Sequence, residues 1–257
     1  MNHIRKDYPI LEYDPEKVAI IQPGRNKRGI NFPERCVMTF FGDIVEKYSQ
    51  GDGVQTRHST KWETGTVKVY EMRYKGIEVC FVHTYVGAPI AVGIMEFLMA
   101  YGVKKIVACG GCGVLDDIEP GHILLPVAAV RDEGTSYHYL PPSREVQLDK
   151  DVIESVKQAI NESGYLYTEC KTWTTDAFYR ETPAKVALRR SEGCKCAEME
   201  CSALAAAAQF RGVKFAQLLY SGDIILKNDS WDERGWQRNV SAREKLFLLS
   251  LDVCLKI

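Results

Sequence analysis

The sequence predicts an α/β protein, a single domain over residues 1–257 in which helices cover a β-sheet. Two observations carry this: short β-rich runs alternate with helical periodicities along the whole chain, and neither a Ser/Pro-rich linker nor a repeat interrupts them. A third is size, since 257 residues, 46% of them apolar, can build a large core without disulfide staples. A chain of this mass removes roughly 73% of its unfolded surface from water.

Residues 18–21, Val-Ala-Ile-Ile, read as a buried strand running into Gln22-Pro23-Gly24. From Val67 to Tyr74 apolar and polar residues alternate up to a Lys75-Gly76 turn, and a strand over 78–84 follows. Ile90, Ile94, Phe97, Leu98 and Tyr101 recur at helical spacing and stop near Gly102. Residues 105–108 form a strand that enters a glycine loop, Gly110-Gly111-Cys112-Gly113, and residues 122–127 form the next strand. Residues 149–163 carry an acidic first turn and Gly164 just past the end, which marks a helix; a strand over 166–172 comes next. Pro183 opens another helix, residues 198–210 are Ala-rich and helical up to Gly212, and 213–220 is an almost unbroken apolar strand. Residues 222–239 carry two Trp and no periodicity, as functional loops do, and a helix over 241–255 closes the chain.

Charge narrows the partners. With 33 Lys+Arg against 34 Asp+Glu the chain has no basic footprint for nucleic acid or a membrane surface, so a small-molecule ligand is expected. No run approaches the ~20 apolar residues of a membrane span, and Arg5, Lys6 and Asp7 precede any apolar run, which points to a cytoplasmic protein. The nine cysteines are odd in number and sit mostly in apolar strings, where a reduced thiol is a small hydrophobe. Cys109 and Cys112 have redox spacing, but neither they nor Cys194 and Cys196 have the second ligand pair that a zinc site needs, so no metal is expected.

Three polar groups fall at strand or helix ends: the Gly24/Arg28 turn, Glu198-Met199-Glu200, and Ser221-Gly222-Asp223. Helix-start acids complement the dipole, which accounts for Glu198 more easily than for Glu200. Asp223 follows an apolar strand, where a doubly wound sheet opens its ligand crevice. Gly110, Gly111 and Gly113 can cradle an anion, yet no P-loop and no GxGxxG accompany them.

Taken in order, Pro23-Gly24 with Arg28, Gly87-Ala88-Pro89, the glycines 110–113 followed by Pro120-Gly121, Val130-Arg131-Asp132-Glu133-Gly134, Thr175-Asp176-Ala177-Phe178-Tyr179, Glu198-Met199-Glu200 and Ser221-Gly222-Asp223 resemble the nucleoside phosphorylase family. That family includes uridine phosphorylase, hexameric purine nucleoside phosphorylase and methylthioadenosine/adenosylhomocysteine nucleosidase, and the resemblance runs over nearly the whole chain. It implies a mixed central sheet flanked by helices, a homo-oligomer (dimer or hexamer), and cleavage of a nucleoside by phosphate to free base and ribose 1-phosphate. Phosphate would be a co-substrate, with no further cofactor.

The resemblance also assigns roles. Glu200 and Met199 would hold the ribose, with His3 lent to its 5′-hydroxyl. Phe178 would stack on the base and Asp223 would share a proton with N7, which favours a purine over uridine. Arg180 and Glu181 stand where uridine phosphorylases carry their uracil-reading pair, so Arg180 is a base-binding candidate. Gly24, Arg28, Gly110 and Gly111 would hold phosphate, and Glu200 and Asp223 would be catalytic. Departures are concentrated at the phosphate, where Ala108 and Gly65 fall at family arginine positions and Gly111 replaces a hydroxyl residue; at the base, Gly222 beside Asp223 replaces a Ser. A nucleosidase that uses water and a non-catalytic nucleoside-binding protein are the alternatives.

Overall fold

The computed structural model describes residues 4–25, 27, 29–227 and 230–257. The chain forms β1 (Arg35–Thr39), α1 (Gly42–Ser49), β2 (Gln55–Trp62), β3 (Gly65–Tyr74), β4 (Ile77–His83), α2 (Ala88–Ala100), β5 (Lys105–Val114) and β6 (Ile123–Asp132). It continues through β7 (Glu145–Gln147), α3 (Lys150–Glu162), β8 (Tyr167–Thr175), α4 (Pro183–Ser191), β9 (Cys194–Glu198), α5 (Cys201–Arg211), β10 (Lys214–Lys227), β11 (Ser230–Asp232) and α6 (Val240–Lys256).

All eleven strands join one mixed sheet, ordered β11-β10-β6-β8-β9-β5-β1-β4-β3-β2, with β7 on β6. Because β10 also pairs with β5, the five strands β5, β10, β6, β8 and β9 close into a ring, while β1, β4, β3 and β2 continue outward as an open sheet. The strands β4, β1, β5 and β10 run parallel, and their register aligns His83, Thr39, Cys109 and Leu218 in one row. Beyond that row lie their carboxyl ends, the place where an open α/β sheet forms its crevice.

Helices follow their local chemistry. Asp149 caps α3 by accepting from the N–H groups of Asp151 and Val152 at 2.9 and 3.1 Å, and α5 ends at Gly212 in the left-handed conformation. The α5 residues from Cys201 through Ala208 are buried, and their small side chains let the helix lie close against the sheet. α5 begins three residues later than the Ala-rich pattern suggests, because Glu198 ends β9 and its Oε2 accepts from the N–H groups of Glu200 and Cys201 at 2.8 and 2.7 Å. The expected loop over 222–239 is shorter than its composition suggests, since β10 runs on to Lys227 and turns back as β11.

Two expectations are corrected. Residues 18–21 form no strand: Ile20 is 104% exposed and Ile21 88%, so their apolar character is not spent inside this chain. The strand that fills the sheet is β1, whose Arg and Thr ends obscure it in the sequence. Gly110, Gly111 and Gly113 are not a loop either, since β5 runs unbroken through them to Val114.

All nine cysteines are free and buried. Cys109 and Cys112, three apart on one strand, face opposite sides of the sheet: Cys109 meets Thr39 and Ser250, and Cys112 meets Cys196. They cannot bridge. Among the described residues no helix is long and apolar enough to cross a membrane.

Candidate active site

Glu200 occupies the junction of β9 and α5. It is buried, and its Oε1 accepts the N–H of Gly87 at 2.6 Å, which ties it to the start of α2. Gly87 holds φ of +112°, a conformation that suits glycine, and Pro89 sits in the first turn beyond it. Glu198, two residues earlier, is a scaffold: it accepts from Thr174 Oγ1 at 2.6 Å as well as from the two N–H groups that start α5. Burial pushes Glu198 up to about 7. Burial, and then the neighbouring Glu198 charge, push Glu200 up to about 8. Met199 lies half-buried between them.

Asp223 is presented by an irregularity in β10. Its register against β5 shifts between Ser221 and Ile224, and Asp223 is the half-exposed residue among buried neighbours. The carboxylate lies over Gly113, where a Cβ would sit 3.2 Å from Oδ2. Gly113 is paired with Ala197 of β9, three residues before Glu200, so both acids belong to the closed ring of strands, one on either side of the β5–β9 seam. Trp231 of β11 donates its indole N–H to Asp223 Oδ2 at 2.7 Å.

Glycine at 222 has a steric cause, since a Cβ there would meet Cys112 O at 3.3 Å. The turn is nonetheless pinned. Arg234 donates to Gly222 O at 3.0 Å, to Ile118 O at 2.7 Å and to Asp223 O at 3.4 Å, so its guanidinium binds backbone here rather than lying free over the crevice.

The turn after β8 supplies aromatic surface. Phe178 is 49% exposed, which excludes a core role, and its ring lies 4.0 Å, centroid to centroid, from that of the exposed Tyr179. Asp176 accepts the N–H of Gly134 at 2.9 Å and adds to the negative field at Glu200, which sets this turn near Glu200. Arg180 is exposed at the end of the same turn.

Two residues before Gly113 on β5, Gly111 is the exposed position in an otherwise buried stretch, with the Tyr220 ring 3.2 Å from where a Cβ would stand. Gly110 is covered by the Phe40 ring, 2.9 Å from the same construction. The turn that follows β1 is Phe40-Phe41-Gly42-Asp43, and sequence reasoning did not single it out. It also missed Arg243, in the first turn of α6. This guanidinium pairs with Asp43, lies 5.0 Å from the Phe41 ring, and keeps a buried Nε with no partner among the described residues. Its charge reaches Tyr220, as do those of Asp43 and Asp223.

The structure therefore brings Glu200, Met199, Phe178, Arg180, Asp223, Gly110 and Gly111 to the carboxyl ends of the strands, but not Gly24. Gly24 packs on Ala100, at the far end of α2 from Gly87, and 13 helical residues separate the two by about 20 Å. The Pro-Gly turn that matches a phosphate loop by composition follows no strand, so it has no crevice to face. His3 and Arg28 lie outside the described residues.

The fold is that of the nucleoside phosphorylases. The chain belongs to the Phosphorylase superfamily, whose sequence model matches residues 34–250. It is 27% identical over 172 residues to the guanosine phosphorylase of Halorubrum lacusprofundi, covering 65% of this chain and 71% of that one. It is 30% identical over 161 residues to a DeoD-type purine nucleoside phosphorylase of Colwellia psychrerythraea, covering 61% and 68%. The purine nucleoside phosphorylase of Toxoplasma gondii, solved with immucillin-H, superposes with a TM-score of 0.76 at 20% identity over 93% of this chain and 97% of its own.

Proposed function

We propose that this protein cleaves the N-glycosidic bond of a purine nucleoside, with phosphate as the attacking co-substrate, to give free base and ribose 1-phosphate. The observation that carries the reading is the pair of acids across one seam: Glu200 at the β9–α5 junction and Asp223 on the β10 bulge. Breaking the bond builds oxocarbenium character on the ribose while electrons pass into the base, so the sugar needs a hydroxyl acceptor and the base a proton. Glu200 accepts from the ribose hydroxyls and fixes the ring, Met199 lines its apolar face, Phe178 stacks on the heterocycle, and Asp223 delivers a proton to N7. The exposed backbone at Gly111 and the Arg243 guanidinium receive the phosphate, with Arg243 turning from Asp43 toward the dianion. The purine names of the two relatives support the choice of base.

Hydrolysis by water is a second reading, favoured by the position of Gly24 away from the crevice and by the Phe40 ring over Gly110, which thin the anion site. One assay separates them: purine and pyrimidine nucleosides are incubated with and without phosphate, and the sugar product is identified. Ribose 1-phosphate formed only with phosphate is the expected result. Free ribose at an equal rate without phosphate overturns phosphorolysis, and no cleavage of any nucleoside overturns both readings.

A further inference from the structure

Asp223 meets a neutral donor where a cation is close at hand. Ile224 of β10 pairs with Asp232 of β11, so Asp223 and Trp231, the residue before each, leave the antiparallel ribbon on the same face as diagonal neighbours. The Trp231 indole N–H reaches Asp223 Oδ2 at 2.7 Å, and the same oxygen lies over the β5 floor, 3.2 Å from where a Cβ of Gly113 would stand. Arg234, just beyond β11, is spent on backbone: its Nε, Nη1 and Nη2 donate to Gly222 O, Ile118 O and Asp223 O. The two oxygens of the carboxyl group therefore differ. In a neutral carboxyl group the doubly bonded oxygen is the stronger acceptor, so an indole on Oδ2 keeps the proton on Oδ1. A neutral donor also leaves the group able to hold that proton, where a guanidinium would favour the carboxylate.

We propose that Trp231 is the positioning residue of the base site: its indole N–H fixes Asp223 with Oδ2 as acceptor and Oδ1 as the oxygen that gives a proton to purine N7. The inference deepens the proposed nucleoside cleavage and rests on it. As the C1′–N9 bond breaks, its electron pair passes into the imidazole ring and N7 takes the proton of Oδ1. The indole bond to Oδ2 persists in the carboxylate, and the proton that phosphate loses on forming its bond to C1′ restores the Oδ1 proton through solvent. Trp231 donates throughout and transfers nothing.

Trp231 is 61% exposed, so it can be replaced without opening the core. The test compares the wild type with Trp231→Phe and with an enzyme carrying benzothienylalanine at position 231, which keeps the shape of the indole and lacks its N–H. Rates are measured on inosine and on 7-methylguanosine, whose cationic imidazole ring needs no added proton. Both variants are expected to lose about tenfold in kcat on inosine with KM within about twofold, and to match the wild type within about twofold on 7-methylguanosine. A benzothienylalanine enzyme with the wild-type kcat on inosine, or variants that lose both substrates equally, overturns the role of the N–H and leaves nucleoside cleavage standing. A wild-type enzyme inactive on every nucleoside overturns both.

A second readout needs no turnover. The chain has four Trp, and in a proton–nitrogen NMR spectrum the indole signal of residue 231 is the one missing from Trp231→Phe. A hydrogen bond to a carboxylate draws that proton downfield, so in unliganded Asp223→Ala it moves upfield by more than the other three indole signals. A signal unmoved in Asp223→Ala overturns the positioning role.

Discussion

The two ends of the crevice are built on different terms. The end that would take sugar and base belongs to the closed ring of strands, and each of its acids is fixed by backbone: Glu200 by Gly87 N–H, Asp223 by the bulge beneath it and by Arg234 on its own carbonyl. The end that would take the attacking anion lies where the ring meets the open parallel part of the sheet, and offers exposed glycine backbone of β5 and, from the turn after β1 and the start of α6, a guanidinium already paired with Asp43. Ring closure fixes side chains from several elements against one another, whereas an open edge depends on what its turns carry. On the proposed reading, the glycosidic chemistry is anchored in the fold and the choice of nucleophile hangs on a few residues at its rim.

The sharpest way to break the comparison is at Glu200. Glu200→Ala removes the acceptor for the ribose hydroxyls, and kcat/KM for every nucleoside is expected to fall about a thousandfold or more. A loss under tenfold would remove the sugar acid from the site. Next in size, Asp223→Asn should cost about a hundredfold on purine nucleosides and far less on pyrimidines, because only the purine offers N7. Steady-state rates on inosine and uridine check this, and equal losses would refute the purine assignment.

The rim can be sharpened with two glycines. Gly111→Ala places a methyl group on the exposed floor of β5, against Tyr220, and should raise the KM for phosphate about tenfold. Gly24→Ala is strained by its φ of +78° and by Ala100, so it should lower the melting temperature while KM for phosphate stays put. The reverse result would return the anion site to the N-terminal turn.

That contrast also marks how much of the molecule was legible in the sequence. Glu198-Met199-Glu200 was legible because it adjoins a helix whose Ala-rich pattern is unmistakable, whereas Ser221-Gly222-Asp223 reads as a strand end and is instead a bulge within β10, which runs on to Lys227. The difference between Glu198 and Glu200 was half legible: the first was set down to helix-start electrostatics, and it does cap α5, but from the last residue of a strand. β1 was hidden because its five residues begin with Arg and end with Thr, while the more apolar residues 18–21 took its place in the reading. With β1 misplaced, its following turn was sought at Gly24 and the turn over 40–43 passed unnoticed. Arg243 lies 20 residues beyond Asp223 on a separate helix, and only the folded chain sets it beside the Phe41 ring. Positions that depend on one element's ending are readable from sequence, and positions that depend on two distant elements meeting are not.

The smallest effect is thermodynamic and tests whether the fixed end is held at a cost. Glu181 and Glu198 are raised to about 7 and Glu200 to about 8, whereas an unfolded Glu titrates near 4.3. Between these values the folded chain binds more protons than the unfolded one, so stability falls as pH rises, from about 4.3 up to about 8. The unliganded protein should therefore melt at a higher temperature at pH 5.5 than at pH 8.5. Glu200→Gln has no charge to desolvate, so its melting temperature should fall less over that range and exceed the wild type's at pH 8.5. Each kcal/mol recovered is worth about 3 °C in a chain of this size. Calorimetry at the two pH values decides it: parallel curves for the two proteins would mean that Glu200 ionises freely in the folded state, and that the β9–α5 junction holds its carboxylate without strain.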